Sequence, residues 1–263
     1  MKLLALDTST EQLSIAVQSG DRVWCHRGAG GAQASASLIP SVLALLAQAE
    51  LTLSDLDAVV VGRGPGSFTG LRTACAVAQG LAYGVSCPVL GLETLQSLAP
   101  QVLAQDPGAT RVLAVLDARM QQVYAAAYER RPHEVGDAQG WRTLTPPGLY
   151  DPCDLTLPAD WHDDPTVWIA GNANTLLDDA PGVLQGPAGA ARRTLSCLPD
   201  AQALLQLAPA ALARGEAVAA DALLPLYLRD KVAMTTAERE ALKSHTAPQA
   251  SGTPTVPLQE TVP

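Results

Sequence analysis

Four glycines and a proline fall within nine positions of the stretch GRGPGSFTGLR, residues 62–72. The apolar run Ala58–Val61 leads into it and residues with helical spacing follow it. A glycine-rich loop between a strand and a helix is a common setting for a phosphate, because backbone N–H groups and the helix N-terminus both face the anion. The details here depart from the two best-known versions. A P-loop ends in Gly-Lys-Ser/Thr, whereas Gly70 is followed by Leu71 and no lysine lies nearby. The dinucleotide fingerprint that Gly64 and Gly66 would begin needs a third glycine at position 69, which is Thr69. Pro65 also removes a backbone donor. Arg63 and Arg72 remain able to meet an anion, and Ser67 or Thr69 can cap the following helix. The stronger reading is a tight structural loop, formed by Gly62, Gly64, Pro65 and Gly66, that delivers a small-faced helix to a packing surface.

The other reactive residues form no constellation in the sequence. The four histidines, His26, His133, His162 and His245, are too far apart for H-x-x-x-H or H-E-x-x-H. The five cysteines include no C-x-x-C pair, and their odd number argues against a closed disulfide framework. Ser67 directly follows Gly66, so the G-x-S-x-G elbow of serine hydrolases is absent. No metal site and no cofactor is expected. Asp7, followed by Thr8, and Asp117 end matching apolar runs. They either face a cleft between two lobes or cap their own turns through Asx-type bonds.

These residues must be positioned by a mixed α/β chain. The segment KLLALDTSTEQLSIAV reads as strand, polar turn, strand, with a third strand at 22–26. Residues 28–36 are small and read as a loop. A helix is expected at 38–49, with Ser37 as N-cap and Pro40 in the first turn. A strand at 57–61 enters the glycine loop, and a second helix follows at 69–83. Gly70, Ala74, Ala78 and Ala82 make a stripe of small residues along it, which permits close helix packing. After Pro107–Gly108 the pattern restarts with RVLAVLDARMQQVYAAAY, an echo of the first hairpin. Residues 130–165 read as irregular with short strands, and a helix is expected at 200–214 with a break at Pro209. The expected organisation is an N-terminal lobe at 1–106, a C-terminal lobe at 107–232 whose last helix and PLYLR segment pack back on the first, and a poorly ordered tail at 233–263.

With 263 residues and 48% hydrophobic composition, the chain can bury a full core. A net charge of −9 and a pI near 4.8 argue against a free-standing nucleic-acid binder. Met1–Leu6 reaches Asp7 too early for a signal peptide, and no apolar run is long enough to span a bilayer. The expected location is the cytoplasm.

LALDTST at 4–10, GRGPGSFTGLR followed by AQGLAYG at 78–84, VLDARMQQVY at 115–124 and PLYLR at 225–229 occur in that order. Together they resemble the TsaB (YeaZ) family over residues 1–232. The resemblance implies an actin-like, sugar-kinase-like (ASKHA) fold with a mixed five-stranded sheet in each lobe. It implies a non-catalytic subunit that works with a TsaD-like transferase and a TsaE-like ATPase. Their joint product is N6-threonylcarbamoyladenosine at position 37 of tRNAs reading ANN codons, made from threonylcarbamoyl-AMP. Such a subunit meets tRNA only through the complex and forms homodimers when alone. In TsaD-like proteins paired histidines on the first helix bind a metal; the matching stretch here, GGAQASASLIPSVLALL, contains none. Two rival readings within the superfamily are a peptidase acting on the TsaD-like partner and an ATP-binding kinase-like protein. The partner surface is expected on the two N-terminal helices, through Leu38, Val42, Leu45, Leu46, Thr69, Gly70, Arg72, Ala74 and Ala78.

Overall fold

An unbroken apolar run such as residues 3–6 suits a strand buried on both faces. In the computed structural model, which describes residues 1–130 and 140–229, it forms β1 (Lys2–Asp7) at the centre of a five-stranded sheet. On one side β1 pairs antiparallel with β2 (Gln12–Ser19), which pairs antiparallel with β3 (Arg22–Ala29). On the other it runs parallel to β4 (Ala58–Gly62), and β4 runs parallel to β5 (Val89–Leu92). The second sheet contains β6 (Arg111–Arg119), β7 (Gln122–Arg130), β8 (Trp141–Tyr150), β9 (Trp168–Gly171) and β10 (Arg193–Ser196). Its order, β8-β7-β6-β9-β10, repeats the first order, β3-β2-β1-β4-β5, with the same strand directions. The sequence echo between the two hairpins is therefore one part of a repeated topology.

Helices fill three layers around these sheets. Helices α1 (Ala34–Gln48) and α2 (Phe68–Gly84) cover one face of the first sheet and share a core with Leu4, Leu6, Val59 and Val61. Helices α3 (Leu98–Gln105) and α5 (Ala201–Ala213) lie in the core between the two sheets, with Leu3, Val60, Val112 and Tyr128. The far face of the second sheet is covered by short turns and the single-turn α4 (Pro181–Leu184), packed around the fully buried Trp161. Residues 1–228 form one compact unit.

Several local expectations are corrected. Helix α1 begins at Ala34, four residues before the expected start, because a 3-10 turn at Gly31–Gln33 feeds it without a side-chain cap. Ser37 therefore lies inside the helix and donates to the Gln33 carbonyl (3.1 Å). Pro40 is also interior and exposed, so water can reach the carbonyl it leaves unpaired. Helix α5 runs through Pro209 without ending, and Asp200 caps it by accepting from Gln202 N (2.6 Å). Residues 141–150 form a ten-residue strand that tolerates Pro146 and Pro147 because β8 is at the sheet edge and its pairing with β7 is irregular there. His133, His245 and the expected tail lie outside the described residues. Among those described, no helix is long and apolar enough to cross a membrane.

Arg192 organises the covering segment. Only 6% exposed, it donates to the carbonyls of Gln185 (3.2 Å), Asp164 (2.6 Å), Trp161 (3.3 Å) and His162 (2.8 Å). These acceptors belong to backbone that no sheet or long helix satisfies. Arg192→Ala should therefore lose roughly 3 kcal/mol or more in chemical denaturation. Arg192→Lys should restore little of it, since an ammonium cannot reproduce the planar fork.

Candidate functional site: the glycine loop and the α1–α2 face

The glycine loop is held against the β1–β2 turn by backbone at very short range. The Thr8 hydroxyl donates to the Gly70 carbonyl (2.7 Å) and Ser67 N–H donates to the Ser9 carbonyl (2.7 Å). A Cβ on Gly70 would overlap the Thr8 carbonyl, and one on Gly62 would overlap Asp7 Oδ2. Gly66 faces the Ser9 carbonyl, where a Cβ would sit 2.6 Å away. Gly64, in a cis peptide with Pro65, has φ +126° and backs onto Leu226. Ser67 caps α2 by accepting from Gly70 N–H (3.4 Å). The hydroxyl that a peptidase reading would need is thus engaged in starting a helix.

The two aspartates occupy equivalent strand ends in the two sheets and both make Asx-type bonds. Asp7 Oδ1 accepts from Ser9 N–H (2.9 Å) and the Ser9 hydroxyl (2.6 Å). Asp117 Oδ1 accepts from Arg119 N–H (2.6 Å), and its other oxygen pairs with the Arg119 guanidinium (3.2 Å). Arg119 also approaches Glu11 (3.9 Å), which brings the two hairpin tips together. The environments differ in depth. Asp7 is 1% exposed, and its Oδ2 has no hydrogen-bond partner. Burial pushes its pKa up to about 6, against the opposing pull of the Ser9 bonds and with a further push from Asp200. Among the described residues, no group of three or more His, Cys, Asp or Glu side chains is placed to hold a metal ion.

The expected partner residues divide sharply. Leu38, Val42, Leu45, Leu46, Gly70, Ala74 and Ala78 are all buried against their own sheet. Their stripe is small because α2 lies close to β4 and β1, so these side chains, expected at a partner surface, are not presented on the surface of this chain. Thr69 and Arg72 are exposed. The outer face instead presents Ile39 (43% exposed) and Leu43 (49%) on α1, and Ala76, Gly80 and Tyr83 on α2. The signal for it was present in the sequence: LIPSVLALLA is apolar around the whole helix, which a helix covered on one side alone does not require. The segment after α5 straps this region. Val218 bridges to Val89, Gln79 donates to the Leu223 carbonyl (2.9 Å), and Leu226 N–H donates to the Arg63 carbonyl (2.7 Å). Arg72 then lies over the Phe68 ring (3.9 Å) and donates through Nε to the Tyr227 hydroxyl (2.8 Å).

Two outcomes follow from the loop. Gly70→Ala should destabilise the protein by about 2 kcal/mol or more in urea, because the added methyl must separate α2 from the Thr8 backbone. For Asp7 the folded state favours the protonated form, so its contribution is intact below about pH 4 and is lost as pH rises through about 6. At 1.36 kcal/mol per pH unit the loss approaches about 3 kcal/mol. Asp7→Asn should therefore gain stability relative to wild type as pH rises from 5 to 7.5, read as a widening difference in Tm.

The comparisons with known proteins agree with this architecture. Residues 30–147 match the family model TsaD, described as tRNA N6-adenosine threonylcarbamoyltransferase. The tRNA threonylcarbamoyladenosine biosynthesis protein TsaB of Escherichia coli K12 is 33% identical over 89% of this chain and 96% of its own length. The Haemophilus influenzae protein of the same name is 31% identical over 88% and 95%. The solved structure of YeaZ from Pseudomonas aeruginosa aligns with a TM-score of 0.73 at 37% identity, covering 86% of this chain and 99% of that one. The two mixed sheets with their helices have the actin-like, sugar-kinase-like (ASKHA) architecture that the sequence resemblance implies. Similarity of this extent over nearly the whole length of both chains makes this protein a member of the TsaB (YeaZ) family.

Proposed function

We propose that this chain is the non-catalytic subunit required, with a TsaD-type transferase and a TsaE-type ATPase, for N6-threonylcarbamoyladenosine formation at position 37 of tRNAs reading ANN codons. The observation that carries this reading is the near-full-length kinship to proteins named for that biosynthesis. The geometry supports a subunit role over an enzyme of its own. The Thr8 side chain and the Ser9 carbonyl of the β1–β2 turn hold the chain's own glycine loop, and the apolar outer face of α1 and α2 is free to meet another helical surface. Catalysis belongs to the TsaD-type subunit, tRNA is met through the complex in the cytoplasm, and the same face supports a homodimer when the partner is absent. The lobes divide at residues 106–107, so that the partner face belongs wholly to the first.

Reconstitution tests this directly. With threonylcarbamoyl-AMP and tRNA supplied, the protein alone should give no modified nucleoside by mass spectrometry. Adding it to the TsaD-type and TsaE-type proteins should raise the yield well above theirs alone; an unchanged yield would refute the role. Ile39→Glu and Leu43→Glu should each weaken binding to the TsaD-type subunit by tenfold or more with unchanged Tm, because a charge is placed in an apolar contact. Val42→Glu and Ala78→Glu should instead lower the Tm sharply, since both sites lie in the core.

A further inference from the structure

Helices α1 and α2 together contain one charged residue, Arg72, and no aspartate or glutamate. That residue lies on the exposed side of α2. Its guanidinium is already fixed in place: it stacks on Phe68 at 3.9 Å, its Nε donates to the Tyr227 hydroxyl at 2.8 Å, and the two rings lie 5.0 Å apart. No carboxylate among the described residues pairs with it. Among the described residues nothing engages its two Nη groups, the half of the fork that grips a carboxylate.

We propose that Arg72 is a preorganised anion receptor that selects the partner of the α1–α2 face, taking a carboxylate from a different protein that neither α1 nor α2 of a second copy offers. This rests on the reading that a TsaD-type subunit docks on that face. The selection comes from symmetry and desolvation. In a two-fold homodimer the face meets itself. Neither helix can then present an acid to Arg72, and Glu50 lies only beyond the end of α1. A guanidinium pressed into such a contact loses water and gains no counter-charge. A partner with an apolar helical face and one carboxylate opposite Arg72 removes that penalty. It also gains a charge-assisted bond whose side-chain ordering was completed when Phe68 and Tyr227 closed on the arginine. The same apolar area therefore binds the heterologous partner tightly and its own copy weakly.

The experiment measures two affinities on the full chain: for the TsaD-type subunit by calorimetry, and for self-association by sedimentation velocity. Arg72→Met should weaken the heterologous complex at least tenfold and flatten its salt dependence, while self-association stays the same or tightens. Arg72→Lys should fall between, keeping the charge without the fork or the stacking. Tyr227→Phe removes the positioning hydroxyl but keeps the charge, and should cost less than Arg72→Met. Charge reversal, Arg72→Glu, should be rescued by an Asp→Lys or Glu→Lys change on the partner. Equal losses from Arg72→Met and Tyr227→Phe would show that the arginine only holds the strap, and would overturn the proposal. So would an unchanged heterologous affinity, or a homodimer weakened as much by Arg72→Met and by Glu50→Gln. Failure of the wild-type chain to bind the TsaD-type subunit would instead remove the reading beneath it, and this inference with it.

Discussion

The placement of α2 depends on one contact, the approach of the Thr8–Ser9 backbone to Gly66–Gly70. Thr8 donates to the Gly70 carbonyl, Ser9 accepts from Ser67 N–H, and no room remains for side chains at Gly66 or Gly70. This pins the N-terminus of α2 to the end of the central strand. Helix α1 packs beside α2, and the strap at 218–227 closes over the other side through Leu223, Leu226 and Tyr227. The orientation of the whole outer face is thus set by a few hydrogen bonds between a strand turn and a loop. These are buried and short, and a change there moves a surface that the changed residues never touch.

The same contact occupies most of the polar groups that the Asp7–Ser9 turn carries. Asp7 Oδ1 and the Thr8 hydroxyl are occupied by local and loop partners, and Ser9 donates back to Asp7. Gly62, which has no room for a Cβ, backs onto the remaining Asp7 oxygen, and that oxygen is buried beside the Thr94 hydroxyl. A carboxyl held in this way prefers its proton at acidic pH, so near neutrality it places a cost on the fold. That cost is a by-product of bringing β1, β4 and the loop so close together.

Strand positions were legible in the sequence where burial on both faces removed polar residues, as at 3–6, 58–61 and 112–116. The tightness of the loop was legible too, from the glycine spacing and Pro65. What could not be read was which way a stripe points. Gly70, Ala74, Ala78 and Ala82 fit a close helix–helix contact and a close helix–sheet contact equally well, and the sheet took them. The start of α1 was hidden because its cap is a backbone turn at Gly31–Gln33 with no Ser, Thr, Asp or Asn side chain involved. Strand β8 was hidden by Pro146 and Pro147, which an edge position excuses but a local pattern does not reveal. Tyr227 stood inside the PLYLR motif, but its pairing with Arg72 spans 155 residues of sequence, a distance no local pattern bridges.

Helix α2 is narrow on two opposite sides, and only one of them has an internal cause. The inner glycine and alanines are demanded by the sheet and the Thr8 backbone. Gly80 is not: it is exposed, keeps an ordinary helical φ, and has open space where a Cβ would stand. Glycine at such a position costs the isolated helix about 1 kcal/mol relative to alanine. Beside it Ala76 is also small, while Ile39 and Leu43 on the neighbouring helix leave apolar area in water. Each feature lowers the stability or solubility of the free chain. They make sense together if another backbone comes within the distance that a glycine and an alanine permit, so that contacts absent from the free protein offset the loss. A fold built only for its own stability would carry alanine at position 80 and charges at 39 and 43; this one keeps its charge off that face except at Arg72.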